Sequence, residues 1–257
     1  MNLLETVITG KTPKAPKIVL YGYEGVGKSM WAATAPNPIF VQTEDGLNQI
    51  ETNKFPLAKT FAEVMNYLVA VRDEQHDFQT VVVDSADWLE RLIFDEVCRE
   101  YGVRSIEKAD GGYGKGYTHA LTHWRKVVNL LQELRDKRGM MVILVAHAKV
   151  ERFEDPENAA YDRYTPRLHK HAASLIAEWV DAVLFANKKF RVTKDSGDRA
   201  IAAPIGADGG ERIIRTVGSP ACIAKNRYGL PGEIPLSWTA FINAYQKTME
   251  KNHGQMQ

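Results

Sequence analysis

Cysteine is almost absent from this 257-residue chain: only Cys98 and Cys222 occur, far apart and outside any metal-ligand or redox spacing. A disulfide scaffold is thereby excluded, and a reducing compartment would keep both as buried small hydrophobes. Long apolar runs are missing too. No window approaches the roughly 18 apolar residues of a membrane span, and MNLLETVITGKTPKAPK lacks the apolar centre of a secretory signal. A soluble, cytoplasmic protein with no membrane partner is expected. Nor does one sign of charge dominate, since 33 Lys+Arg against 32 Asp+Glu leave a net +1. Without a whole-protein field drawing it to polyanions, any nucleic-acid surface has to be local. Internal repeats and low-complexity tracts are also lacking.

What the chain does have is enough apolar composition, 44%, to bury a substantial core. One domain over residues 1–257 is expected, with a core at about 15–230 and a helical tail at 237–257. Short apolar runs at Lys17–Tyr21, Ile39–Thr43, Thr80–Asp84 and Met140–Ala146 have the bounded, unbroken character of strands buried on both faces. Helical spacing lies between them. Phe61, Val64, Met65, Leu68 and Val71 follow a Thr60…Glu63 capping box, and Leu121, Trp124, Val128, Leu131 and Leu134 repeat the pattern. Alternation of this kind predicts an α/β fold with a mainly parallel sheet flanked by helices. After a helix at Lys170–Trp179, strands at Asp181–Ala186, Phe190–Lys194, Ile213–Val217 and Ala221–Lys225, broken by turn signals at Gly206–Gly210, predict a C-terminal antiparallel hairpin extension. Residues 105–117 and 149–167, glycine-rich and mixed in charge respectively, read as long surface loops.

One motif carries chemistry by itself. Gly22-Tyr23-Glu24-Gly25-Val26-Gly27-Lys28-Ser29 matches G-x-x-x-x-G-K-[ST], with an apolar strand before it and a helix-compatible run from Met30 after it. Chance would supply such a match in about one chain per hundred of this length. Glycines let backbone N–H groups converge on phosphate oxygens, Lys28 reaches the β- and γ-phosphates, and the Ser29 hydroxyl joins a Mg²⁺ shell. Asp84, the first polar side chain at the C-terminal end of an apolar strand, is the expected second Mg²⁺ anchor, with Asp87 as the cap of the next helix. Glu44, ending the preceding strand, would orient an attacking water, and Asp45 competes for that role. ATP and Mg²⁺ are the expected ligands. His119 and His123 share one helix face four residues apart, but no third ligand accompanies them. They are expected to be solvated, or neighbours of a DNA loop.

Taken in order, the P-loop, an acid after the next strand, an apolar strand ending Asp-Ser, a glycine-rich loop and Met140-Met-Val-Ile-Leu-Val-Ala-His147 resemble the RecA-like ATPase core. More narrowly, the chain is similar to phage-encoded RecA-like proteins of the single-strand annealing and recombination group. The resemblance implies that Glu44 activates water and that His147 stands where a glutamine senses the γ-phosphate. It further implies that Lys225 and Arg227 reach a neighbouring subunit's triphosphate in a ring or filament. The loops at 105–117 and 148–167 would meet single-stranded DNA, with Lys108, Lys115, Lys149, Arg152 and Arg163 (and Arg167) on phosphates and Tyr113 stacking on a base. A single-strand-binding or annealing protein is the implied further partner. Bacterial RecA's N-terminal helical extension and separate C-terminal domain have no counterpart here, so its filament geometry does not carry over. Three functions follow as expectations: a DNA-dependent ATPase of recombination or annealing, a nucleotide-gated loader of a replication helicase, and a small-molecule kinase. The kinase is disfavoured because the cations at 149–170 are mixed with acids instead of forming an arginine-rich lid.

Overall fold

A computed structural model describes residues 3–10, 12–194, 200–206 and 210–254. Its central strands are β1 (Lys17–Gly22), β2 (Pro38–Gln42), β4 (Thr80–Asp84), β5 (Met141–Phe153) and β7 (Ala182–Lys188). These lie in the order β7-β1-β5-β4-β2, all parallel, with a short β3 (Asn53–Lys54) beyond β2. One strand, β5, thus separates the P-loop strand from the strand that ends in Asp84. The mainly parallel sheet flanked by helices that the sequence leads one to expect is the architecture found.

Why these runs form strands is visible in the two cores. Val19 and Tyr21 of β1, Val81 and Val83 of β4, and Val142 and Leu144 of β5 pack on one face, while Ile18, Leu20, Val82, Ile143 and Val145 pack on the other. A strand buried on both sides has no polar positions to alternate with, hence the unbroken runs. Helices α2 (Phe61–Asp73), α3 (Ala86–Glu100), α4 (Lys115–Arg138) and α5 (Lys170–Trp179) cover the first face. On the second lie α1 (Lys28–Ala33) and α6 (Trp238–Gly254). Thr60 caps α2 by accepting from the Glu63 N–H, and the Glu63 carboxylate returns to the Lys59 N–H, one residue outside a reciprocal box. α4 ends at Gly139 (φ 67°), with Arg135, Lys137 and Arg138 in its last turn.

The chain after α5 adds antiparallel strands. β10 (Arg212–Arg215) pairs with β7, β12 (Glu233–Pro235) pairs with β10, and β8 (Phe190–Lys194) pairs with β9 (Ala200–Pro204). Residues 207–209 of the expected Gly206–Gly210 turn lie outside the described residues. The expected strand Ala221–Lys225 is reduced to β11, Lys225–Asn226, because Tyr164 instead pairs its backbone with Ala221 and Ile223.

Three expectations are corrected. Residues 149–167 are not a loop: β5 runs on past the sheet edge and pairs with β6 (Tyr161–Pro166) from Ala148↔Pro166 to Phe153↔Tyr161. Alternating charged residues hid a two-stranded ribbon that is half in water. Residues 105–117 hold a 3-10 turn, Ile106–Gly111, and the start of α4. His123 is buried, edge-on to Phe61 and with Nε2 3.2 Å from Glu100, because its position falls on the inner stripe of α4; only His119 is partly solvated. Cys222 is buried, Cys98 half-buried. Among the described residues no helix is long and apolar enough to cross a membrane.

Candidate functional site: a phosphate pocket at the sheet edge

The P-loop leaves β1 at Gly22, beside β7. A Cβ at Gly22 would collide with the Ala186 carbonyl oxygen, so strand packing, as well as phosphate chemistry, requires glycine. Gly27 has φ 109° and immediately precedes α1. Val26, 1% exposed, pins the loop's middle into the second core, and Tyr23 meets the Tyr164 ring edge-on at 5.1 Å. With only six residues, α1 has a small dipole, so the loop N–H groups and Lys28 carry most of the attraction for anions.

Around the loop lies a pocket of about 250 Å³, lined by Gly25, Gly27, Lys28, Ser29, Met30, Glu44, Asp84 and His147. Four separate segments of the chain therefore deliver their expected site residues to one place. Lys28 is buried, and its ammonium donates to the carbonyls of Gly22 (3.1 Å) and Tyr23 (2.7 Å). Burial lowers its pKa, against the raising effect of Asp84, Glu24, Asp87 and Glu44. Asp84 is pushed up by burial while a hydrogen bond from Ser29 and the charge of Lys28 pull it back. A buried carboxylate and a hydroxyl are hard oxygen donors. No cluster of three or more His, Cys, Asp or Glu able to hold a metal occurs among the described residues. A cation here would complete its shell with phosphate and water, which is how Mg²⁺ is commonly held.

Glu44 lies opposite, half-exposed, with Oε2 accepting from the Ser85 hydroxyl at 3.0 Å and 3.7 Å from His147 Nδ1. Asp45 is not among the pocket's lining residues; its carboxylate accepts from Asn48 at 2.7 Å. Asp87 is not a helix cap. Ser85 holds the N-cap position of α3, and Asp87, in the first turn, accepts from the His147 backbone N–H (3.0 Å), lies 3.1 Å from His147 Nδ1 and pairs with Arg167. Burial alone would raise its pKa, but these hydrogen bonds outweigh burial and hold the carboxyl well below the ordinary aspartate range.

Arg167 did not stand out in the sequence as part of this site. It ends the return of the β5–β6 ribbon, and its guanidinium bridges Asp87 and, at 3.2 Å, Glu24 of the P-loop. Pairings across 80 and 143 residues leave no local signal. Together with Tyr23–Tyr164, this ties the ribbon to the phosphate loop.

Of the seven residues expected to meet DNA, Arg167 is held at the ribbon's foot by Asp87 and Glu24, Lys149, Arg152 and Arg163 lie on the ribbon, and Lys108, Tyr113 and Lys115 lie near the start of α4. Tyr113 is fully exposed, so its ring face is available. Lys149 donates to the Leu168 carbonyl, Arg152 pairs with Glu154, Arg163 lies over the Phe153 ring at 3.9 Å, and Lys115 donates to the Asp110 carbonyl. Lys225 and Arg227 sit elsewhere. β11 pairs with the start of β7 (Lys225↔Val183), whereas the P-loop end of β1 pairs with Ala186, so both cations occupy the sheet edge opposite their own pocket. The Lys225 ammonium donates to the carbonyls of Ala177, Glu178 and Val180, closing the C-terminus of α5.

Comparison with known proteins follows the geometry. A family model described as an AAA domain matches residues 14–228. The SPbeta prophage-derived uncharacterized protein YorG of Bacillus subtilis (strain 168) is 24% identical over 182 residues, covering 69% of this chain and 52% of that protein. The chain thus spans about half the length of this curated relative. Among solved structures, the crystal structure of the RadB recombinase is similar over 88% of this chain and 90% of that one, at 13% identity and a TM-score of 0.46.

Proposed function

The chain belongs to the AAA-domain family, and from that premise we propose that it binds ATP with Mg²⁺, hydrolyses it, and acts on single-stranded DNA in phage recombination or annealing. One observation carries the reading: β5 is a single strand that brings His147 to the phosphate pocket and then, from Ala148 to Phe153, forms half of the ribbon that bears Lys149, Arg152 and Arg163. A nucleotide and a DNA strand would therefore act on the two ends of one rigid element.

In this mechanism Lys28 exchanges its loop carbonyls for the β- and γ-phosphate oxygens, which offer full charge in place of dipoles. Glu44, which lines the pocket and is steadied by the Ser85 hydroxyl on Oε2, holds the attacking water. Bound through Ser29 and Asp84, Mg²⁺ would neutralise charge developing on the phosphates. His147, held by Asp87, senses the γ-phosphate and passes its state along β5. Work in the host cytoplasm as a ring or filament, beside an annealing or single-strand-binding protein, completes the proposal.

ATP turnover measured with and without single-stranded DNA tests it. Stimulation by DNA is expected, and its absence together with absent DNA binding would sink the reading. The alternative, a nucleotide-gated loader of a helicase or another replication factor, draws on a specific feature. Lys149 and Arg152 are already partnered within the ribbon, and Glu151, Glu154, Asp155 and Glu157 put negative charge beside them. A mixed-charge face suits a protein partner better than a phosphate backbone.

A further inference from the structure

A second cavity, of about 310 Å³, adjoins the phosphate pocket and shares Gly27 and Met30 with it. Its other walls differ in character. Trp31 of α1, and Leu236 and Trp238 from the chain around the start of α6, make it aromatic and apolar, with the hydroxyl-bearing Ser237 and Thr239 among its lining. Trp238 is half-buried and braced from behind, 4.8 Å from the Trp31 ring and 5.4 Å from Phe241, which are themselves buried. Arg212 of β10 stands at the junction: its Nη1 is 3.1 Å from where a Cβ on Gly27 would be, so a side chain there would displace it. Leu236 and Trp238 also lie beyond the matched family segment, residues 14–228.

We propose that this cavity receives the purine base of the bound nucleotide, Trp238 stacking on the ring and Arg212 meeting the phosphate chain as it leaves the P-loop. The proposal rests on the phosphate-site reading above. A rigid indole offers a large π-face at little entropic cost, and hydroxyls can donate or accept at the base edge. Continuity with the phosphate pocket is what selects this ligand, since the two halves of a nucleotide are one apolar ring and one polyanion. α6 thereby becomes part of the nucleotide site.

Binding of MgATP and of magnesium tripolyphosphate, which has no base, tests it by calorimetry on the full chain. Wild type should bind ATP at least about tenfold more tightly, and Trp238→Ala should erase that advantage while leaving tripolyphosphate binding unchanged. Retained tripolyphosphate binding also certifies the fold. Trp238→Phe, which keeps an aromatic face, should retain most of the ATP preference and lose the ATP-dependent quenching of tryptophan emission that tripolyphosphate does not cause. Arg212→Ala should weaken both ligands. Equal ATP affinity in wild type and Trp238→Ala, or parallel loss of both ligands in that variant, would overturn the base assignment. Failure of wild type to bind either ligand would instead overturn the phosphate site.

Discussion

Asp87 Oδ2 receives both Nε (3.2 Å) and Nη2 (2.9 Å) of Arg167, joining the first turn of α3 to the foot of the β5–β6 ribbon. The Asp87 side chain is 3% exposed, that of Arg167 37%. Loss of the buried member leaves the His147 backbone N–H without its acceptor and Arg167 short of a counter-charge, whereas loss of Arg167 leaves Asp87 still bonded by His147. Asp87→Ala should therefore cost about 3 kcal/mol in denaturant unfolding, the low end for a broken buried pair because Arg167 keeps Glu24 and solvent. Arg167→Ala should cost about 1 kcal/mol or less yet weaken DNA stimulation of turnover, since the ribbon's foot then loses its charged link to the P-loop and keeps only the Tyr23–Tyr164 contact. Undiminished stimulation in Arg167→Ala would show that coupling does not run through this charged link.

A second prediction concerns pH. Burial pushes Glu90 up to about 7, partly offset by hydrogen bonds from the His169 N–H and the Trp124 indole. Between its ordinary value of 4.5 and about 7 the folded protein holds a proton that the unfolded chain has released. Folded stability from this group is thus complete below about pH 4.5 and lost as pH rises through about 7, by at most about 3 kcal/mol. Glu90→Gln should flatten the fall in Tm between pH 5 and 8. An unchanged slope in the variant would assign that fall to other groups.

The two acids after β2 should separate cleanly. Glu44→Gln keeps the shape of the pocket but removes the charge that orients water, so nucleotide binding should persist while turnover falls about a hundredfold or more. Asp45→Asn, outside the pocket, should stay within a few fold of wild type. The reverse pattern would move the role to Asp45.

What could be read in the sequence was whatever local chemistry encodes. The P-loop was legible because spacing and residue type are both dictated by phosphate, and β4 and β5 because strands buried on both faces leave apolar runs. Glu44 and Asp84 were placed by their positions at strand ends, which a parallel sheet gathers at one edge, whereas His147 came from the family resemblance. The ribbon was missed since a half-solvated strand with alternating charge resembles a loop, and Arg167 and Arg212 were missed because their partners are distant in sequence. Lys225 was named through the resemblance alone, and the carbonyls of Ala177, Glu178 and Val180 that hold its ammonium, more than forty residues away, leave no trace in the local sequence.

Lys28→Ala provides a fourth prediction, with binding and stability moving apart. Its charged form is disfavoured by burial, so replacement should leave Tm unchanged or higher, while hydrolysis is abolished and nucleotide affinity falls at least tenfold. A sharp drop in Tm would mean that the ammonium's bonds to Gly22 and Tyr23 hold the loop's fold.

Lys225 and Arg227 differ in what they are free to do, and the last prediction follows from that difference. Lys225 satisfies the last carbonyls of α5, so Lys225→Ala should unfold more easily by about 1–3 kcal/mol, whatever happens to activity. Arg227 is exposed, 3.7 Å from Asp181 in a contact worth little, so Arg227→Ala should leave Tm unaltered. Both lie at the sheet edge opposite their own pocket, so a role in hydrolysis would have to be played on a neighbouring subunit, with exposed Arg227 as the cation able to extend. Mixing separates the cases. A Lys28→Ala subunit has a dead pocket and an intact Arg227; an Arg227→Ala subunit has the converse. If Arg227 acts in trans, each is nearly inactive alone and mixed assemblies regain ATPase where a working pocket meets an intact arginine. Normal turnover by Arg227→Ala alone, or no recovery in assemblies shown to contain both subunits, would confine Arg227 to the surface and leave the pocket to work with the cations of its own chain.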